Sequence, residues 1–137
     1  METVISFIIA GIILLAFVIA FFVFIAAGKK KLTAAHCHFI EKQWRTVTEE
    51  SYRNMHTAIL DADKLLGHVL ELRGYKGSVG DQLKSAGPLF TALDSVWSAH
   101  KVRNRIAHEI GVKINKKQGQ GVLRIYKKAL NDLGATL

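Results

Sequence analysis

The first 28 residues follow a different pattern of hydrophobic and polar positions from the rest of the chain. No charged residue occurs from Thr3 to Gly28, and the stretch Val4–Ala27 is almost wholly apolar. As a helix rising about 1.5 Å per residue, this stretch is about 36 Å long, which exceeds the roughly 30 Å hydrocarbon core of a bilayer. It is too long for the hydrophobic region of a cleaved signal peptide, and no basic residue precedes it. The pattern predicts a transmembrane anchor over residues 1–28.

The residues after the predicted anchor are enough for one small domain. We assign residues 29–45 to a basic juxtamembrane helix or linker and residues 46–137 to a helical domain with a single core. No segment alternates between apolar and polar residues as a half-buried strand does, and the sequence contains no internal repeat. The predicted fold class is therefore all-α, with a single N-terminal transmembrane helix followed by a small helical bundle.

Capping and turn residues predict where the helices of this domain begin and end. Thr46-Val47-Thr48-Glu49 has the pattern of a capping box, so a helix should begin near Thr46 or Thr48. Its apolar face has the spacing of a bundle helix and comprises Met55, Ile59, Ala62, Leu66, Val69 and Leu70. The other predicted boundaries are a helix end at Gly74, a short helix over 81–86, a helix from about 93 to 110, a glycine-rich loop over 115–121 and a last helix from 122 that ends at Gly134.

Charge separates the two parts of the chain and predicts an orientation. All 19 Lys and Arg residues follow Gly28, as do 10 of the 11 Asp and Glu residues, so the domain carries a formal charge of +9. Because Lys29-Lys30-Lys31 directly follows the apolar run, the positive-inside rule places the N-terminus outside and the domain in the cytoplasm, at an inner or plasma membrane. The single cysteine, Cys37, fits a reducing compartment and excludes an internal disulfide. A basic domain at a membrane suits two polyanions, lipid or nucleic acid.

Arg103 is the most unusual residue of the predicted helix 93–110. On a helical wheel it lies inside the apolar arc formed by Leu93, Val96, Ala107 and Ile110, where a charged side chain is rare. A guanidinium that points toward a core or an interface needs an anionic partner, since burying it unpaired is very costly. The sequence therefore predicts either a carboxylate or a phosphate beside Arg103.

The stretch from Ala99 to Glu109 resembles the motif of the HEPN superfamily. Arg103 with Asn104 matches that family's Arg-polar pair, and His108 matches its histidine. The resemblance covers roughly residues 46–133 and implies a helical bundle that is usually a homodimer, here through the motif helix. Active members of the family are ribonucleases that need no metal, whereas others are inactive binding modules. The resemblance thus implies that the domain binds single-stranded RNA and, if it is one of the active members, cleaves it.

The chemistry of RNA cleavage suits these residue types. His108 would act as the general acid or base near neutral pH, and Arg103 would stabilise the charge that develops on the phosphate. Asn104 would hydrogen-bond the phosphate or orient the His108 ring, because residues four apart share a helix face. Additional phosphate contacts are predicted for the basic residues that follow, which are Arg105, Lys113, Lys116 and Lys117.

Two other interpretations of the same residues stay open. In one, Asp63 pairs with Arg103 as a buried structural ion pair, and the domain is a non-catalytic, membrane-tethered interaction or oligomerisation module. In the other, the basic face simply holds the domain against anionic lipid. No metal or cofactor is expected, since His36-Cys37-His38 places neighbouring side chains about 100° apart on a helix and has no partner cluster.

Overall fold

The computed structural model describes residues 1–27 and 30–137, with the backbone alone for residues 2–4 and 22–27. Within these residues the secondary structure consists of six α-helices and one 3₁₀ turn, Gly87–Leu89, and the predicted all-α class is confirmed. The helices are α1 Glu2–Ala27, α2 Ala34–Arg53, α3 Met55–Leu72, α4 Val79–Ala86, α5 Leu93–His108 and α6 Lys116–Asp132.

The chain divides into two compact units, Met1–Lys30 and Lys31–Leu137. The first unit contains α1, and its large apolar side chains from Ile5 to Phe21 are exposed. Among the described residues, no helix is both long and apolar enough to cross a membrane. Gly28 and Lys29, which belong to the predicted anchor and its basic flank, lie outside the described residues.

The second unit is a bundle built around α3. This helix packs against α2, α4, α5 and α6 and is therefore the central helix of the bundle. Five of the six positions predicted for its apolar face are buried, and Met55 is half-buried. The predicted helical periodicity is therefore confirmed for the central element of the core.

The predicted helix start near Thr46 is wrong. Helix α2 begins after Thr33, whose hydroxyl accepts a hydrogen bond from the His36 backbone N–H at 3.2 Å. Thr46 and Thr48 lie inside the helix, where their hydroxyls donate to carbonyl oxygens four residues earlier. Burial of Ile40 and Val47 in the common core extends the helix across the local capping pattern. The helix is interrupted at Asn54, which is the C-cap of α2 and the N-cap of α3. Its side-chain oxygen accepts a hydrogen bond from the Thr57 backbone N–H at 3.2 Å.

The predicted glycine-rich loop over 115–121 is also wrong for most of its length. Asn115 caps α6, which begins at Lys116 and includes Gly119 and Gly121. Gly119 is buried against α3, where an added Cβ would overlap the Met55 side chain, so close helix packing explains this glycine. The helix ends at Gly74 and Gly134 are confirmed, since both glycines adopt positive φ angles of 93° and 102° directly after helix C-caps.

Candidate functional site

The second unit contains a cluster of polar side chains centred on Asp63 of α3. Asp63 is 1% exposed, and its carboxylate meets side chains from two other helices. His100 Nδ1 of α5 lies 2.8 Å from Asp63 Oδ1, and the Tyr126 hydroxyl of α6 donates to the same oxygen at 3.0 Å. Arg103 Nε of α5 lies 3.1 Å from Asp63 Oδ2. One buried carboxylate thus joins α3, α5 and α6.

Helix geometry explains why α5 supplies two of these partners. His100 and Arg103 are three residues apart, so they lie on one face of α5, the face that packs against α3. Because an ionised carboxylate only accepts hydrogen bonds, His100 Nδ1 carries the proton in its contact with Asp63. The Trp97 ring packs edge-on against the His100 ring at a centroid distance of 6.0 Å.

The Arg103 guanidinium is held on two sides. Its Nε is close enough to Asp63 for an ion pair but is not aligned for a hydrogen bond, so this contact is coulombic. Its Nη1 donates to Asn104 Oδ1 at 2.9 Å. The Arg103 side chain remains 27% exposed, whereas that of His100 is 12% exposed. Asp63 therefore neutralises a cation at the edge of the core rather than one sealed within it.

Burial of the cluster changes the chemistry of Tyr126. This side chain is fully buried, and its desolvation, followed by the charge of Asp63 and the hydrogen bond to it, raises the pKa of the phenol well above its usual range. Tyr126 is therefore a neutral hydrogen-bond donor to Asp63 at any physiological pH.

The residues predicted for catalysis do not form one hydrogen-bonded group. Arg103 and Asn104 contact each other, but His108 is the exposed last residue of α5. Within the described part of the chain, the His108 side chain makes no hydrogen bond and no ion pair. The structure instead brings together Arg103 and Asp63, the two residues of the alternative interpretation.

The residues predicted to bind nucleic acid lie on the last turn of α5, on the loop that follows and on the first turn of α6. Arg105 and Lys113 line a cavity of about 330 Å³ between these helices. Arg105 also pairs with Glu109 at 3.3 Å, with both side chains more than half exposed. Lys116 and Lys117 are exposed in the first turn of α6, outside this cavity.

Sequence reasoning did not identify His100 and Tyr126 as partners of Asp63. A signal for His100 was present, because it lies at the margin of the arc that contains Arg103. For Tyr126 the signal was weaker, since a tyrosine on an apolar helix face needs a partner for its hydroxyl when buried, but the sequence does not say which one.

The described residues contain no group of three His, Cys, Asp or Glu side chains that could hold a metal ion. His36 Nδ1 accepts a hydrogen bond from the Thr33 backbone N–H at 3.3 Å in the capping box of α2, and the neighbouring Cys37 Sγ lies 3.7 Å from the Gly134 carbonyl oxygen. The chain matches no protein-family model, no curated protein and no solved structure.

Proposed function

We propose that this chain is a membrane-tethered, HEPN-like helical module that works by binding, and that Arg103 holds α5 to α3. The observation that carries this proposal is the 3.1 Å contact between Arg103 Nε and the buried Asp63 carboxylate. Removing Arg103 would leave the buried Asp63 carboxylate without the positive charge beside Oδ2, which destabilises the fold. A phosphate that drew Arg103 away from Asp63 would have to offset this cost.

The proposed tether is α1. Counted on the full sequence, the apolar run Val4–Ala27 has the length of a membrane span, whereas the side chains described within it cover residues 5–21 alone and are exposed. Such a continuous apolar surface is unfavourable in water and is typical of a membrane or partner contact. Lys30 and Lys31, with Lys29 before them, support a cytoplasmic position of the helical module at an inner or plasma membrane.

A second candidate function is metal-independent RNA cleavage. It is supported by the exposure of His108 and by the 27% of the Arg103 side chain that stays accessible. In this case Asp63 would orient Arg103, and the outer edge of the guanidinium would bind the phosphate. Arg103 and His108 are about 140° apart on an ideal helix, so a homodimer through α5 would be needed to place both around one phosphate.

A cleavage assay separates the two functions. The full chain, reconstituted in phosphatidylcholine nanodiscs, is incubated with labelled single-stranded RNA in the presence of a chelator. The binding module predicts no cleavage above the buffer control and none in His108→Ala, with both proteins folded by circular dichroism. Cleavage by the wild type that yields a cyclic phosphate end, and that is lost in His108→Ala, would overturn the proposal. His56→Ala, which changes a histidine outside the motif, is the matched control for His108→Ala.

A further inference from the structure

We infer that the groove between α5 and α6 is a docking site for an acidic amphipathic helix of a partner protein. This inference rests on the proposed function, a module that works by binding, and names the surface and the partner. Two cavities, of about 220 Å³ and about 330 Å³, lie along the α5–α6 contact and share Gly121 and Ile125 in their walls. The two cavities adjoin at these residues, and we refer to them together as the α5–α6 groove.

The groove has the length and the floor that a helix needs. Its wall on α6 runs from Gln118 to Asp132, which is about 21 Å along the helix axis, or about four turns. Its apolar lining is contributed by both helices, by the N-cap residue of α5 and by the loop between the helices, and consists of Ala92, Val96, Val102, Ile114, Val122, Ile125 and Ala129. An amphipathic helix buries its apolar residues at i, i+3, i+4 and i+7 in a groove of this kind.

The rim of the groove determines the charge of the partner. Arg105 and Lys113 line one cavity, and Arg124 and Lys128 line the other. The one acidic residue among the described lining residues, Asp132, accepts hydrogen bonds from the backbone and hydroxyl of Thr91 at 2.9 Å. Opposite charge favours association and like charge opposes it, so the rim selects an acidic helix and disfavours the same groove of a second copy.

Gly121 provides an independent observation. A glycine inside a helix is destabilising relative to alanine, so it needs a reason. An added Cβ at Gly121 would meet Arg124 Nη2 alone, at an ordinary distance of 3.8 Å, whereas Gly119 two residues earlier is required by the Met55 side chain. The packing of the domain thus explains Gly119 and leaves Gly121 unexplained. Gly121 lies where the two cavities adjoin, and because it has no side chain it leaves the floor of the groove open for the close approach of another helix.

The probe for this inference is a designed peptide. It is a fluorescein-labelled helix of roughly 18 residues, about five turns, with leucine on one face and glutamate on the other. A scrambled peptide of the same composition lacks the apolar face. Fluorescence anisotropy is measured against the full chain in nanodiscs of phosphatidylcholine, a lipid that carries no net charge, and empty nanodiscs are the blank. We expect saturable binding of the amphipathic peptide and binding at least about tenfold weaker for the scrambled one.

Three variants locate the binding. Gly121→Leu fills the floor of the groove with a side chain, and the double variant Arg105→Glu/Lys113→Glu reverses the charge at one end of its rim. Each should weaken binding of the amphipathic peptide at least about tenfold. The matched control, Lys42→Glu/Lys76→Glu, reverses two exposed cations outside the groove and should bind as the wild type does. Circular dichroism confirms folding, and if Gly121→Leu does not fold, the rim variant alone decides.

Three results would overturn the inference: no binding of the amphipathic peptide, equal binding of the scrambled peptide, or unchanged affinity in the rim variant. A single-stranded RNA oligonucleotide is tested in parallel. If the RNA binds in place of the peptide and loses affinity with the rim variant, the groove is a nucleic-acid site and the inference is wrong. Failure of the peptide without RNA cleavage would leave the proposed function intact, whereas RNA cleavage would overturn the proposed function itself.

Discussion

Asp63 is a buried charge whose partners determine how three helices meet. A lone carboxylate in an apolar core is very unfavourable, and such groups persist when they are paired and hydrogen-bonded. Here His100 and Tyr126 satisfy Oδ1, and Arg103 supplies the positive charge beside Oδ2. The cluster specifies the rotation of α5 and α6 against α3 more strongly than apolar contacts alone would, because each hydrogen bond fixes a direction as well as a distance.

Tyr126 should make the stability of the domain depend on pH in alkaline solution. Burial and the neighbouring Asp63 raise the pKa of this phenol above its ordinary value near 10, so the folded chain keeps a proton that the unfolded chain loses. The contribution is fully present below about pH 10, and the free energy of unfolding falls as the pH rises above that value. Urea unfolding from neutral to alkaline pH should therefore show a steeper loss of stability for the wild type than for Tyr126→Phe.

The Tyr126→Phe variant should also lose about 1 kcal/mol at neutral pH, because the hydrogen bond to Asp63 is removed. Equal alkaline slopes for the two proteins would show that Tyr126 ionises in the folded state and is not held by Asp63.

The composition of this site was only partly predictable. The position of Arg103 on an apolar arc predicted an anionic partner, either a carboxylate or a phosphate. The structure places the carboxylate of Asp63 beside it. His100 and Tyr126 lie 37 and 63 residues after Asp63 in the sequence, so their distances to Asp63 depend on how α5 and α6 rotate and pack against α3. A periodic pattern gives the face of each helix but not the register between helices.

Helix boundaries were predictable where one local signal acts alone. The helix ends at Gly74 and Gly134 follow glycine signals that nothing else opposes. The end of α4 at Ala86 was predicted from Gly87-Pro88, whereas its start at Val79 lies two residues before the predicted one, because Ser78 caps the helix. The start of α2 was missed because a Thr-x-x-Glu pattern inside a helix looks like one at its end, and the buried contacts of Ile40 and Val47 decide between them. The start of α6 was missed because Gly119 and Gly121 suggest a loop, whereas tight packing against Met55 favours the glycine at 119 within a helix.

The proposed anchor α1 gives a separate prediction. Leu14→Arg/Phe17→Arg places two charges in the middle of the apolar run, and each should cost roughly 2.5–3.5 kcal/mol of membrane insertion. Washing of membranes with alkaline carbonate should leave the wild-type chain in the pellet and release this double variant. Leu14→Ala/Phe17→Ala, which keeps the run apolar, is the control and should stay in the pellet. Release of the wild type would show that α1 is not an anchor.

The whole molecule combines an apolar N-terminal helix with a compact basic bundle. The bundle carries an ionic cluster on the inner side of α5 and a groove with a basic rim between α5 and α6. In this account the cluster fixes α5 in place, and the groove that α5 forms with α6 does the binding. The two roles are connected, because a change in the rotation of α5 would alter the groove.

The central claim is that Arg103 serves the fold by pairing with Asp63. The most direct test is a double-mutant cycle of urea unfolding on the full chain in nanodiscs, with Asp63→Asn, Arg103→Gln and the double variant. Each single variant leaves one partner unpaired, so we predict a coupling free energy of about 1 kcal/mol or more, toward the lower end of values for contacting residues because Arg103 is partly exposed. Costs that add within about 0.3 kcal/mol would contradict the account, since the two residues would then be energetically independent and Arg103 would be available to another anion.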